Sequence, residues 1–99
     1  MYKVLVEEDA ENDIDSAYLW YELQMQDLGK RFYNHIQIGV AYIAKNPFSG
    51  RKIYKNVRRY IVHKFPFGIY YLIDDESMAI KIVGVIHFKR SRRVLKRRI

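Results

Sequence analysis

The run Gly68-Ile-Tyr-Tyr-Leu-Ile-Asp-Asp-Glu-Ser-Met-Ala-Ile-Lys-Ile-Val-Gly-Val-Ile-His-Phe88 specifies a β-hairpin. Two segments rich in β-branched and aromatic residues, 68–73 and 78–88, flank a polar turn at 74–77, which is the pattern of paired antiparallel strands. Because side chains alternate between the two faces of a strand, one apolar set of the second strand is predicted to face a helical layer. That set is Met78, Ile80, Ile82 and Ile86. Gly84 lies inside this strand and predicts a β-bulge or a close approach of another backbone.

Upstream of the hairpin, two further segments have the character of strands. Residues 57–65 are predicted as a strand, with Pro66 permitting a bend before the hairpin. Residues 46–56 are rich in turn formers and are predicted as a loop. Residues 2–7 are short and aliphatic, so they are predicted as the first strand.

Two helices are predicted between the first strand and the loop, because apolar residues recur there every three or four positions. The first stripe contains Ile14, Ala17, Tyr21, Met25 and Leu28, and the second contains Phe32, Ile36, Val40 and Ile43. Several acids within residues 9–15 suit the positive end of a helix dipole. Gly29 is expected to break the run, so that a second helix from about Lys30 to Ala44 folds back antiparallel and ends at Asn46-Pro47.

The order β-α-α-β-β-β predicts one α+β domain over residues 1–99. A helical hairpin is expected to pack on one face of a small, curved, mostly antiparallel sheet. The other face of the sheet is predicted to stay open for a partner. Residues 88–99 are predicted to follow the domain as a basic tail. Because the apolar stripes of the core lie upstream of this tail, a chain that ends at Phe88 is expected to keep its helices and sheet.

Composition restricts the class of protein. Hydrophobic residues make up 49% of the chain, so a packed core is expected. The absence of Cys excludes disulfides and thiolate metal sites. No apolar run approaches the roughly 20 residues of a membrane span, and acids at 7–9 stand where a signal peptide would stay apolar. We therefore expect a soluble cytoplasmic protein with no membrane association.

Positive charge is concentrated at the C-terminal end of the chain. Residues 87–99 hold seven of the 18 Lys and Arg residues and none of the 11 Asp and Glu residues, so the remainder is neutral. Charge so concentrated steers polyanions or acidic proteins toward it. Val94 and Leu95 are predicted to anchor the tail, and the alternative is a solvated extension. The residues expected to present charge to a partner are Arg90, Arg93, Lys96, Arg97 and Arg98.

Two histidines are candidates for proton transfer. Histidine is the side chain best suited to move a proton at neutral pH, which makes His63 and His87 candidates. On strands separated by one other they would lie about 10 Å apart, a distance that could straddle a phosphodiester. RNA cleavage would also require cations around the phosphate, for which Arg58 and Arg90 are candidates. A structural or partner-contacting role for each histidine is the alternative. With His35 on a helix, no set of side chains has metal-ligand spacing, and we expect no metal or cofactor.

Arg58 and Arg59 are adjacent on a predicted strand and must therefore face opposite ways. One of them is expected on the exposed sheet face among partner contacts. Three tyrosines interleave with these cations, as they do in nucleic-acid binders and in protein interfaces. The alternative is that Tyr60, Tyr70 and Tyr71 belong to the core and sheet faces.

Several short motifs, taken in order, resemble the RelE/ParE toxins of bacterial type II toxin-antitoxin systems, and the ParE branch in particular. In the sheet they are Val57-Arg58, Phe65-Pro66-Phe67-Gly68-Ile69-Tyr70-Tyr71, and Val85-Ile86-His87 with Arg90 three residues on. In the helices they are Asp13, Ala17, Trp20 and Tyr21, followed by Leu28-Gly29-Lys30-Arg31-Phe32. The chain departs from the branch at Phe67, Arg92 and Leu95, where a Tyr, a Pro and a Trp are common.

The resemblance implies a toxin that a cognate antitoxin neutralises and that inhibits DNA gyrase by binding. A RelE-like endoribonuclease that cleaves mRNA on the ribosome is the first alternative, and a non-toxic nucleic-acid or protein-binding module is the second. The residues predicted to contact the target or the antitoxin are Arg58, Arg59, His87, Arg90, Arg93, Lys96 and Arg97.

Overall fold

Five strands form one sheet in the computed structural model, which describes residues 2–99. The strands are β1 (Lys3–Val6), β2 (Arg51–Tyr54), β3 (Val57–Ile61), β4 (Phe67–Asp74) and β5 (Ala79–His87). Their spatial order is β1-β5-β4-β3-β2. Strand β1 runs parallel to β5, and the other neighbours are antiparallel. The predicted α+β class and mostly antiparallel sheet are therefore confirmed.

Three helices accompany the sheet: α1 (Glu8–Gln24), α2 (Leu28–Lys45) and α3 (Ser91–Arg98). Short 3-10 turns precede β2 at Pro47–Ser49 and α3 at Phe88–Arg90. Within residues 2–99, none of these helices combines the length and the apolar character needed to cross a membrane.

The chain reverses between α1 and α2 at Asp27, which has a left-handed backbone with φ 69°. The Glu22 carboxylate accepts hydrogen bonds from the backbone N–H groups of Asp27 at 2.9 Å and Gly29 at 3.0 Å. Gly29 itself lies in the first turn of α2, where a Cβ would stand 2.6 Å from the Tyr18 carbonyl oxygen. Gly29 therefore permits close helix packing and does not make the break that was predicted from it.

The predicted helical stripes form the first of two apolar cores. Ala17, Phe32, Ile36 and Ile43 are buried against Ile69, Tyr71, Ile80 and Ile82 of the sheet. Met25 was predicted to belong to the buried stripe of the first helix, and this is wrong. Its side chain is half-exposed because α1 has already ended at Gln24.

The predicted bulge is present in β5. Tyr70 pairs with Gly84 and Tyr71 pairs with Ile82, so one extra residue of β5 lies between the two pairs. An extra residue reverses the alternation of side chains beyond it. Ile86 therefore points away from α1 and α2, and its predicted place on the helix-facing side is wrong.

A second core covers the face of the sheet that was predicted to stay open. Helix α3 buries Leu95 completely against residues of β3, β4 and β5. These residues are Val57, Tyr70, Val83 and Ile86. The segment 88–99 is thus a folded element, and the premise that the whole core lies upstream of Phe88 is wrong.

Strand β2 lies in the segment predicted as a loop. It pairs with β3 through a tight turn in which Lys55 has φ 50°. Its first two residues, Arg51 and Lys52, are polar and exposed, because β2 is an edge strand. A prediction that relies on runs of apolar residues therefore does not detect this strand.

Candidate functional site

A cavity of about 670 Å³ opens between α1, the end of β5 and α3. Its floor is apolar and aromatic, and its rim carries charge and one histidine. The floor is formed by Ala17, Tyr21, Phe67, Val85 and Ile86, and the rim by Asp13, Trp20, His87, Arg90 and Arg98. We call this cavity the α1–α3 groove.

Packed aromatic rings hold the floor of the groove rigid. The Tyr21 ring lies 5.2 Å from Phe32, 5.0 Å from Phe65 and 6.1 Å from Phe67, between ring centroids. Burial raises the pKa of the Tyr21 hydroxyl above its usual range, so this group stays neutral at physiological pH. Trp20 packs edge-on against Tyr21 at 5.1 Å and remains 58% exposed at the rim. Such an exposed aromatic beside an apolar floor is typical of a binding surface.

An ion pair between Arg98 and Asp13 closes one end of the groove. The Arg98 guanidinium donates to both Asp13 carboxylate oxygens, at 2.7 and 2.8 Å, and to the Val83 carbonyl at 3.0 Å. The same Asp13 side chain accepts from the Val85 N–H at 3.0 Å. The hydrogen bonds to Asp13 raise the pKa of Arg98. Arg98 therefore ties α3 to α1 and to the bulge, and its predicted role of presenting charge to a partner is wrong.

His87 and Arg90 both line the groove. The half-buried His87 ring packs edge-on against Phe67 at 5.5 Å, and its Nδ1 accepts a hydrogen bond from the Lys89 N–H at 3.1 Å. This bond places the proton of the neutral ring on Nε2. Arg90 is exposed beside it. The structure thus brings together these two residues of the predicted set.

His63 lies apart from the groove. Strand β3 ends at Ile61, so His63 stands in the following turn and not on a strand, as the sequence had predicted. Its ring lies 5.6 Å from the ring of His35 on α2. The two predicted proton carriers, His63 and His87, therefore have different neighbours on different elements.

Arg58 and Arg59 face opposite sides of the sheet, as predicted. Arg58 donates to the carbonyls of Gly50 at 2.7 Å and Phe48 at 3.3 Å, so it supports the connection between α2 and β2. Arg59 lies on the side of α3, with its guanidinium 5.4 Å from the centroid of the Phe88 ring.

The remaining cations of α3 point outward. Arg92, Arg93, Lys96 and Arg97 are exposed, whereas Ser91 and Leu95 are buried beneath them. We call these four cations the outer face of α3.

Leu19 and Leu23 are exposed apolar residues that the sequence reading overlooked. They are 62% and 84% exposed and extend the apolar surface of Trp20 along α1. Both lie off the predicted apolar stripe of α1, and an apolar residue on the polar side of a helix is the signal that could have identified them.

Comparison with known proteins agrees with this architecture. Residues 4–92 match the family described as the ParE toxin of the type II toxin-antitoxin system parDE. The chain belongs to the ParE toxin family. A search among curated proteins finds no match.

Solved structures share the fold of this ParE-family chain. It is similar to the chromosomal ParDE toxin-antitoxin system from P. aeruginosa, with a TM-score of 0.76 and 19% identity over 88% of this chain and 96% of that chain. It is also similar to the toxin-antitoxin complex RelBE2 from Mycobacterium tuberculosis, with a TM-score of 0.60 and 16% identity over 87% and 96% of the two chains. At these identities the likeness shows the fold alone.

Proposed function

We propose that this ParE-family protein is a toxin that is neutralised by a cognate antitoxin seated in the α1–α3 groove. The observation that carries the proposal is the exposed Trp20 above an apolar, aromatic floor. Leu19 and Leu23 continue this apolar surface along α1, and the rim offers Arg90 as a cation. An amphipathic segment with apolar and acidic side chains fits such a surface.

The fluorescence of Trp20 tests antitoxin binding directly, because Trp20 is the single tryptophan of the chain. The probe is the purified protein encoded by the reading frame adjacent to the toxin gene, in a variant without tryptophan. We expect its addition to shift the Trp20 emission to the blue as the ring is buried, and Leu23→Ala to weaken binding at least tenfold. Tyr42→Ala is the control, since Tyr42 is an exposed residue of α2 that lies neither in the groove nor on the apolar surface of α1. Unchanged emission in a complex that forms would place the antitoxin elsewhere.

The proposed target is DNA gyrase, inhibited by binding. The separation of His63 from His87 supports binding over RNA cleavage, because cleavage needs one group to remove a proton and another to donate one. The purified toxin is expected to inhibit supercoiling by gyrase and to leave ribosome-bound mRNA intact.

The endoribonuclease alternative makes the opposite prediction in the same pair of assays. It requires mRNA cleavage on ribosomes that falls about 10² to 10⁴-fold in His87→Ala, the usual contribution of a general acid or base. His63→Ala is the control, because His63 lies outside the groove. Cleavage of that kind would identify ribosome-bound mRNA, and not gyrase, as the target.

A further inference from the structure

We propose that the outer face of α3 binds the phosphate backbone of double-stranded DNA without reading its sequence. This inference goes beyond the proposed function, because such binding requires neither an antitoxin nor gyrase. It concerns Arg92, Arg93, Lys96 and Arg97, which the groove does not use.

These four cations are held in one direction by the packing of α3. Positions 91, 94, 95 and 98 of the helix face inward, with Leu95 fully buried and Arg98 bound to Asp13. The intervening positions must then project away from the sheet, since a helix repeats every 3.6 residues. The outer face is therefore an ordered array of charge on a fixed helix.

Within residues 2–99, no ion pair neutralises the outer face. The three ion pairs of the described chain use Lys30 and Arg98 as their cations. No Asp or Glu occurs between residues 77 and 99. Unneutralised cations close together repel one another, and a bound polyanion removes that repulsion.

The neighbouring sheet surface adds two more cations. Arg59 lies over Phe88 at the start of the α3 segment, and Arg51 stands directly opposite Arg59 in the pairing of β2 with β3. Directly opposite residues share one face of a sheet, and like charges in that position destabilise it. The juxtaposition of Arg51 and Arg59 therefore also favours an anionic ligand.

The chemistry of this surface suits a duplex backbone better than a protein segment or a single strand. The outer face of α3 contains only Arg and Lys, whereas the centre of a protein interface is poor in charge and rich in apolar anchors. The apolar anchors of this molecule lie on α1, at Leu19, Trp20 and Leu23. Single strands are bound by stacking of bases on exposed aromatic rings. On this side Tyr70 is buried, and the partly exposed Phe88 ring already has the Arg59 guanidinium 5.4 Å from its centroid.

Fluorescence anisotropy with two 20-base-pair DNA duplexes of unrelated sequence tests the proposal on the purified toxin. Both duplexes are expected to bind with equal affinity. Each neutralised phosphate contributes about −0.9 to the slope of log K against log salt. Between 50 and 200 mM NaCl, the four contacts of the outer face therefore predict a slope of about −3.6, and contacts by Arg51 and Arg59 bring it to about −5.4.

Two variants with the same net charge distinguish binding at the outer face of α3 from attraction of DNA by the net charge of the protein. The first replaces Arg92, Arg93, Lys96 and Arg97 with Gln, and the second replaces Lys30, Arg31, Lys45 and Lys64 with Gln, so both fall from +7 to +3. The first is expected to lose at least tenfold in affinity and most of the salt slope. The second is expected to keep the slope of the natural chain.

Three results would overturn the proposal. Equal losses in the two variants would show that net charge alone attracts DNA. Displacement of the duplex by polyglutamate at an equal concentration of charge would indicate a surface for acidic proteins, and tighter binding of a single-stranded oligonucleotide would indicate base stacking. Circular dichroism and urea unfolding of both variants verify that the fold is intact. Because neither gyrase nor antitoxin is present, failure here leaves the proposed function standing.

Discussion

Arg98 and Asp13 show how a single residue in a basic segment can acquire a structural role. Seven cations occur between residues 87 and 99, but only Arg98 lies on the inward side of α3 and within reach of Asp13. The pair is largely shielded from water, with side chains 20% and 18% exposed. A paired charge in such a setting is costly to leave without its partner.

Removing Asp13 is therefore expected to destabilise the fold. Asp13→Ala leaves Arg98 and the Val85 N–H without their acceptor, and we expect the free energy of unfolding in urea to fall by about 2 to 3 kcal/mol. Asp9→Ala is the control, because Asp9 lies 3.8 Å from Arg98 and is two-thirds exposed. A loss below about 1 kcal/mol is expected for the control. Equal losses in the two variants would contradict the assigned role of Asp13.

At the scale of elements, α3 completes the second core of the molecule. Its sequence is dominated by Lys and Arg, yet Val94 and Leu95 lie on the face that meets the sheet. The helix buries one complete leucine beside Val57, Tyr70 and Ile86. The anchoring predicted for Val94 and Leu95 is confirmed, whereas the solvated extension is not.

Truncation after Phe88 is expected to abolish the cooperative unfolding transition, because it removes Leu95 and Arg98 together. The milder change Leu95→Ala is expected to lower the free energy of unfolding by about 2 to 5 kcal/mol through the cavity it leaves. Arg93→Ala, on the outer face of the same helix, is expected to change it by at most about 0.5 kcal/mol. These values are measured by urea unfolding followed by circular dichroism. A truncated chain with an unchanged midpoint would show that α3 contributes nothing to stability.

At the scale of the whole molecule, charge and apolar surface are separated. Residues 1–50 have four basic and eight acidic side chains, and residues 51–99 have fourteen basic and three acidic. The exposed apolar residues lie on α1, where Trp20 lines the groove, and the exposed cations of residues 92–97 lie on α3. This separation allows one partner to be held by apolar contact and another by charge.

Salt is expected to stabilise this protein, because it screens the repulsion among the cations of α3. The pairs Arg92 with Lys96 and Arg93 with Arg97 are spaced by four residues, and each like-charge pair of this spacing costs about 0.2 to 0.5 kcal/mol. The two pairs together cost about 0.4 to 1 kcal/mol. At 150 mM NaCl the Debye length of about 8 Å exceeds their separation, so between 20 and 150 mM we expect the free energy of unfolding to rise by less than half of that cost. The variant with four Gln residues on the outer face should show a smaller rise. A fall with salt in the natural chain would indicate that the Asp13–Arg98 pair dominates instead.

The sequence alone was enough to predict the α+β class, both long helices and the β4–β5 hairpin. A bulge was one of the two possibilities that it predicted at Gly84. These features arise from local patterns, since a period of two or 3.6 residues and a glycine within a strand act over a few neighbouring positions. The family could also be predicted, because its motifs are short and occur in order along the chain.

Long-range contacts decided the rest. The bulge moved Ile86 to the second core, α3 covered the face expected to be open, and Arg98 was paired with a residue 85 positions away. His63 lies in the turn after β3 and packs beside His35, whereas His87 packs on Phe67. Pairing and burial of this kind depend on which helices and strands become neighbours in space. A local pattern of residues does not determine those neighbours.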